Sequence, residues 1–370
     1  MTMKKQLDLK SVFGNFSVLG TFASAAPYGS GHINDTYAVV CDQGGTPIRY
    51  ILQRINHTIF TNPEGLMDNI YRVTSHQQRK LRESGIVEAS RRALTLVPSC
   101  SGAPYHRDDD GNYWRLYIFV EHATGHDLIE TPSQAEAAAN AFGAFQQLLV
   151  DLPGAPLVET IPNFHNTPAR FEALIRAIDE DKHNRAIQVQ DALEFATSRK
   201  RDTEILLDLH KQGVIPSIVT HNDTKLNNVL LDNATGEGIC VIDLDTVMPG
   251  LALYDFGDMV RTATNSAKED EQDLSLIHMR MPIFEALAKG YLASARSFLG
   301  KAELQLLPFA GKLLTFECGI RFLTDYLNGD VYFKTHRPGQ NMDRCRGQFK
   351  LVESIEQNTE AMQAVVDRTA

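Results

Sequence analysis

Positive charge is what this chain most lacks: 36 lysines and arginines stand against 46 aspartates and glutamates, a formal net charge of −10. A field of that sign repels nucleic acid and anionic membrane, so neither is expected as a partner, and an anionic substrate would need a local positive pocket or a metal ion. Cysteine is scarce too. Cys41, Cys100, Cys240, Cys318 and Cys345 are odd in number, scattered and free of any CxxC pair, which argues against a disulfide framework or a zinc site and makes reduced, mostly buried thiols the expectation. No apolar run approaches membrane-spanning length, and the stretch MTMKKQLDLKSVFGNFSVLG breaks its apolar residues with Asp8, Lys10, Ser11 and Asn15, so no signal core forms. A soluble, cytoplasmic protein with no obligate protein partner is expected. Repeats and low-complexity segments are also missing, which leaves pattern and punctuation to define the organisation.

What is present suffices for a sizeable core: 370 residues, 43% of them hydrophobic, enough for two domains or one elaborated domain. Residues 20–55 read as three strands joined by turns at 29–31 and 43–47. NPEGLMDNIYRVTSHQQRKLRESG (62–85) spaces Leu66, Ile70, Val73 and Leu81 as a helix does and stops at Gly85. A strand pair is expected around 94–120, broken by the acidic turn RDDDGN. Thr131-Pro132-Ser133-Gln134 carries a cap, a proline at the first helical position and a glutamine three residues on, so a helix starts there. Residues 168–212 and most of 270–370 read as helical, with short strands and turns over 214–260. The order is a β-rich lobe over 1–120, with a connector near 117–130, and a mostly helical lobe over 121–370.

Within the short-strand segment, VTHNDTKLNNVLLD (219–232) gathers a histidine, three asparagines, two aspartates and a lysine between apolar flanks. Such density of polar groups reads as a loop between buried strands. The next strand, Ile239-Cys240-Val241-Ile242, is apolar on both faces yet ends in Asp243-Leu244-Asp245, and carboxylates there are costly unless paired or metal-bound. A hairpin returning from Asn228 would let Asp223, Asn228 and Asp243 converge, a set of oxygen donors suited to Mg²⁺ and to handling a substrate proton. The plainer alternative is a surface turn rich in Asn and Asp.

The order His221-x-Asp223-x-x-x-x-Asn228, hairpin, Asp243 resembles the aminoglycoside phosphotransferase and choline kinase group of small-molecule kinases. The resemblance implies an α+β, two-lobed, protein-kinase-like fold that binds ATP and Mg²⁺. It implies that Asp223 accepts the substrate hydroxyl proton, that His221 orders the loop, and that Asn228 and Asp243 hold the metal. A literal DFG occurs at Asp255-Phe256-Gly257, but it follows the breaker Met248-Pro249-Gly250; the expected metal residue is Asp243, with Asp255 buttressing the loop. In YGSGHINDTY (28–37) Gly29, Ser30 and Gly31 are candidates for a phosphate-covering hairpin. A Rossmann turn would want glycine where Asn34 sits, and a Walker A lysine is absent. The third-strand lysine of kinases is also absent from Tyr50-Ile51-Leu52-Gln53-Arg54, so Gln53 or Arg54 must substitute.

YGSGHINDTY, YILQRIN, THNDTKLNN, IDLDTVMPG, YDFGD and ECGIRFLTDYL together resemble the bacterial N-acetylhexosamine 1-kinases of this superfamily, glutamine for lysine included. Transfer of the ATP γ-phosphoryl to the anomeric hydroxyl of N-acetylglucosamine or N-acetylgalactosamine is thereby implied. Arg321, Tyr326 and Tyr332 are candidates for the sugar wall, with His32 and Asn34 as weaker ones; a structural ion pair and core tyrosines are the plainer reading. The alternatives are a kinase for an amino alcohol, aminoglycoside or homoserine, whose cationic acceptors would require an acidic pocket, and a nucleotide-binding regulatory pseudokinase.

Overall fold

The computed structural model describes residues 7–29, 31 and 33–370; the candidates Ser30 and His32 lie outside the described residues. The chain divides into two compact units. The first runs to Ala123 and also takes in Asp151–Ile161 and Ile239–Met248; the second comprises Thr124–Val150, Pro162–Gly238 and Pro249–Ala370. The division is not a single cut in the sequence. Side-chain bonds show why two later segments return to the first unit: Asn69 Nδ2 donates to Val158 O at 2.9 Å and to Val247 O at 3.1 Å, while Val158 N–H donates to Asn69 Oδ1.

The first unit is built on an antiparallel sheet of β1 (Thr21–Pro27), β2 (Asp35–Gln43), β3 (Thr46–Ile55), β4 (Leu96–Val97), β5 (His106–Arg107) and β6 (Tyr113–Ile118). Its order is β1-β2-β3-β6-β4, with β5 on β6. Gly44 and Gly45, at φ +65° and +92°, make the two-residue β2–β3 hairpin that other residues would resist. Leu52 lies opposite Tyr37 and Leu116, and Gln53 lies opposite Thr36 and Arg115. Since strand side chains alternate, Gln53 and Arg54 point to opposite faces. The Leu52 face is the apolar one: Val39, Cys41, Tyr50, Leu52, Trp114 and Leu116 pack with Val12 and Phe13 of the short helix Leu9–Phe13. Helix Pro63–Glu83 follows the sequence reading, capped by Asn62 and burying Leu66, Ile70, Val73 and Leu81.

In the second unit the capping box at Thr131 and Gln134 forms and starts helix Pro132–Leu149. This helix packs against Met281–Ala295 at backbone distance: a Cβ on Gly290 would fall 2.1 Å from Glu136 O. Helix Lys301–Leu327 packs on Gln340–Thr369 and on Ala252–Thr264, where Gly257 allows close approach to Ala310. Phe316, Ile320 and Leu323 of the long helix join Phe171, Leu174 and Val352 in the core. One segment departs from the sequence reading. Short strands occupy Ile218–Thr220, Val229–Asp232, Gly238–Val241 and Met248–Gly250, but from Ala252 the chain is a helix, so Tyr254–Asp258 is helical rather than turn.

Candidate active site

The loop after strand Ile218–Thr220 is held by one carboxylate. Asp255, fully buried on helix Ala252–Thr264, accepts the His221 N–H at 2.9 Å and the Asn222 N–H at 2.7 Å, and Gln146 Nε2 donates to it at 2.7 Å. Thr224 Oγ1 donates to the Asp255 carbonyl at 2.6 Å. Burial raises the Asp255 carboxyl pKa, and His221 with the two backbone amides only partly opposes that rise. This is the buttress expected of it, built from a helix turn rather than a strand end. His221 is fully buried, edge-on to Phe142 and Phe145 with centroids at 5.4 and 5.8 Å, and its Nδ1 accepts the Asp223 N–H at 3.3 Å. Asn222 takes φ +66°, a left-handed conformation that asparagine tolerates, and so reverses the chain ahead of Asp223.

Asp223 is half-buried, and its two oxygens differ. Oδ2 receives Asn228 Nδ2 at 3.2 Å and Lys225 Nζ at 3.1 Å. Among the described residues Oδ1 takes no hydrogen bond, so one oxygen is left to accept a proton from a bound hydroxyl. Burial lowers the Lys225 pKa, but Asp223 and Asp258 together raise it by more, so Lys225 is an ammonium. Lys225 was not singled out in the sequence, although its position two residues after the aspartate was visible. Asn228 also donates Nδ2 to the Asp223 carbonyl at 2.7 Å, which commits its nitrogen and leaves its carboxamide oxygen as a hard donor.

In the first unit, Asp243 follows strand Gly238–Val241 at φ +58° and ψ +59°, a conformation that turns an exposed carboxylate out of the strand direction. Asp245, two residues on, is buried and paired with the buried Arg115 guanidinium. The two acids at the strand end therefore differ in burial: Asp243 is exposed, and buried Asp245 has a guanidinium partner, as the cost of burying a carboxylate requires. Burial lowers the Arg115 pKa, but Asp245, together with Tyr117 and Asp243, outweighs it and the net shift is upward. Arg115 Nε donates to Gln53 Oε1 at 2.9 Å, and Gln53 Nε2 donates to Thr36 Oγ1 at 2.9 Å. Arg54 instead pairs with Asp35 at the edge of the other face. Asn34 spends its amide on Asp245 and on the Asn56 N–H. Gly29, at φ +79°, and Gly31 lie in the β1–β2 connection, and a Cβ on either would meet no atom within 4 Å.

Asn228 and Asp243 supply oxygen ligands of the kind Mg²⁺ prefers. Among the described residues no cluster of three or more His, Cys, Asp or Glu could hold a metal. Each oxygen, taken by itself, is of the type a hard cation accepts beside phosphate and water ligands.

A further polar cluster in the second unit adjoins the Asp223 loop. His165 is buried, with Nε2 3.0 Å from Asn222 O and Nδ1 2.9 Å from Glu317 Oε1. Thr167 Oγ1 donates to Glu317 Oε2 at 2.6 Å. One turn beyond Glu317 is Arg321, and its charge, after burial, helps depress the Arg170 pKa. Neither arginine forms an ion pair among the described residues; Arg170 Nη2 donates to Phe164 O at 3.2 Å, its Nε has no partner, and Arg321 lies over the Phe333 ring at 5.5 Å. Tyr332, exposed, packs on Phe333, and Asp325 accepts its backbone N–H at 2.8 Å. Tyr326 does not join them. Five residues along a helix place it about 140° round from Arg321, where Arg185 stacks on its ring at 4.5 Å and Gln188 meets its hydroxyl. Arg170 and His165 lie outside any motif, and nothing local in the sequence marked them.

Residues 24–292 match the family described as APH, phosphotransferase enzyme family. The chain belongs to this phosphotransferase family. Solved structures agree on the kinase-like fold. An aminoglycoside phosphotransferase from Alicyclobacillus acidocaldarius superposes with a TM-score of 0.63 at 13% identity, covering 99% of this chain and 98% of that one. A microcompartment-associated aminopropanol kinase gives 0.57 at 16% identity over 96% and 98% of the two chains. The AMP-bound spectinomycin phosphotransferase APH(9)-Ia gives 0.54 at 13% over 95% and 98%.

Proposed function

We propose that this phosphotransferase is an ATP-dependent sugar kinase that phosphorylates the 1-hydroxyl of N-acetylhexosamines. The observation that carries the reading is the Arg170, Arg321 and Tyr332 group, joined through Glu317 and His165 to the loop that bears Asp223. Two guanidinium groups that form no ion pair among the described residues, with the single carboxylate of Glu317 acting on both and already bonded to His165 and Thr167, disfavour the ammonium of an amino alcohol or aminoglycoside. They donate readily to the hydroxyl and carbonyl oxygens of a neutral amido sugar, whose ring an aromatic face such as Tyr332 can cover. The motif resemblance across the chain points to the same substrate class.

In this reading Asp223 Oδ1 takes the proton of the attacking hydroxyl, and His221, with Asp255, fixes the loop. Lys225 is the loop's cation, suited to charge developing on the transferred group. Gln53 and the backbone around Gly29, Ser30 and Gly31 hold the ATP phosphates; Arg54, paired to Asp35 on the opposite face, is left with a minor part. Asn228 and Asp243 would hold Mg²⁺, which when bound neutralises phosphate charge. Nucleotide use is supported by the AMP complex of the spectinomycin phosphotransferase. Arg321 and Tyr332 are kept in the acceptor set, Arg170 is added, and Tyr326 is left to its contact with Arg185.

ADP release measured with a panel of N-acetylglucosamine, N-acetylgalactosamine, ethanolamine, choline, homoserine and an aminoglycoside tests the proposal. Turnover with the amido sugars is expected. Turnover confined to ammonium-bearing acceptors would overturn the substrate assignment, and ATP binding with no turnover on any acceptor would make the chain a regulatory nucleotide binder.

A further inference from the structure

We propose that Arg115 is the positioning residue of the nucleotide site, fixing which end of the Gln53 amide is presented to phosphate and tying that amide to the segment that carries Asp243. The inference rests on the kinase reading above and deepens it. A lysine on the third strand presents only donors, whatever its rotamer. A glutamine does not: its carboxamide has an acceptor end and a donor end of nearly the same shape, and a flip exchanges them at little steric cost. An acceptor turned toward a triphosphate would repel it. Something must therefore choose the orientation, and in this chain it is a guanidinium. Arginine has no acceptor, so its Nε–H, 2.9 Å from Gln53, can face only the amide oxygen. Nε2 must then point away, one of its hydrogens going to Thr36 Oγ1 at 2.9 Å and the other remaining to donate.

Arg115 is held in turn. It is 1% exposed and pairs with Asp245, whose other carboxylate oxygen receives the Asn34 amide and whose backbone carbonyl receives Thr160 Oγ1 at 2.7 Å. Asn34 lies three residues past Gly31, and Asp245 two past Asp243. One buried guanidinium thus joins the glycine loop, the third-strand glutamine and the segment of the metal-binding aspartate. A purely structural ion pair in a β-sheet would not need its third contact to be the one side chain that replaces the missing lysine.

Calorimetric titration with MgADP, which requires neither acceptor nor turnover, tests this in four variants: Arg115→Lys, Arg115→Gln with Asp245→Asn, Gln53→Ala, and Gln53→Ala combined with Arg115→Lys. The Arg115→Gln, Asp245→Asn double variant leaves no unpaired buried charge. Circular dichroism and thermal melts report folding. The expected result is MgADP affinity weakened about tenfold in the folded Arg115 variants and in Gln53→Ala, the scale of one hydrogen bond to a charged group, with less than about a twofold further loss when the two sites are combined. Gln53→Glu keeps Arg115 intact, so it reads the same question even if the Arg115 variants do not fold. Its melt reports folding, and once folded it should bind MgADP more weakly than Gln53→Ala, because a carboxylate stands where the amide's donor end would meet phosphate. Wild-type affinity in the Arg115 variants, losses that multiply across the two sites, or normal MgADP binding by Gln53→Glu would overturn the positioning role and leave the kinase reading intact. A wild-type protein that binds no MgADP would overturn that reading itself.

Discussion

Asp223 divides its work between its two oxygens: one is occupied by Asn228 and Lys225, and the other is open to a substrate proton. Replacing it with asparagine keeps the size and most of the contacts but removes the carboxylate proposed as the base. Asp223→Asn is therefore expected to lower turnover by about two to four orders of magnitude while MgADP affinity stays within a few fold. Near-normal turnover would remove Asp223 from the role. The two candidate aspartates downstream separate in the same way. Asp243→Asn should weaken Mg²⁺-dependent nucleotide binding with little change in the melting temperature, because its carboxylate is exposed. Asp255→Asn should cost about 2 kcal/mol of stability, since asparagine offers one acceptor where two backbone amides and Gln146 need a carboxylate. Titration with Mg²⁺ and nucleotide alongside thermal melts would reveal a reversal of these two roles.

Elements that depend on neighbouring residues were legible; those that depend on distant partners were not. Thr131 and Gln134 marked a helix start because a capping box is complete within four residues. Helix Ala252–Thr264 is not legible as a helix in the sequence: its inward face carries Asp255 and Asp258, and two buried acids interrupt an otherwise helical apolar stripe. Their burial makes sense only with partners: the loop amides for Asp255, and for Asp258 the nearby Arg261, which together with His165 and Lys225 outweighs burial and lowers the Asp258 carboxyl pKa. Glu317 and His165 make the same point, being 152 residues apart in sequence and 2.9 Å apart in space. Burial would lower the His165 pKa, but Glu317, with the Asn222 carbonyl and Asp258, raises it above 6.5; burial would raise that of Glu317, but His165, with Thr167 and Arg321, lowers it below 4.5. A raised histidine contributes stability that is complete below 6.5 and lost as pH rises through its folded value. A depressed glutamate contributes stability that is complete above 4.5 and lost as pH falls through its folded value. The pair is thus worth most between those limits. Glu317→Gln should cost about 3 kcal/mol there, with the gap to wild type narrowing as His165 deprotonates. Melting temperatures of both proteins from roughly pH 5 to 9 check this; a constant gap would rule out an ionised pair.

The whole molecule carries a net charge of −10, yet Arg170 and Arg321, near the Asp223 loop, form no ion pair among the described residues, and that contrast is the basis for proposing a neutral amido sugar rather than a cation. The β-rich and helical division and the order of the kinase-type motifs were legible in the sequence. The return of Ile239–Met248 to the first unit was not, because the pair that fixes it, Asp245 with Arg115, spans 130 residues. No described helix is long and apolar enough to cross a membrane. The central claim, phosphoryl transfer to an anomeric hydroxyl, is tested most directly by phosphorus NMR of the product formed from ATP, Mg²⁺ and N-acetylglucosamine or N-acetylgalactosamine. The account predicts a new phosphomonoester signal whose phosphorus couples to the single anomeric proton. Coupling to two methylene protons, or a product formed only when an amino alcohol or aminoglycoside replaces the sugar, would contradict it.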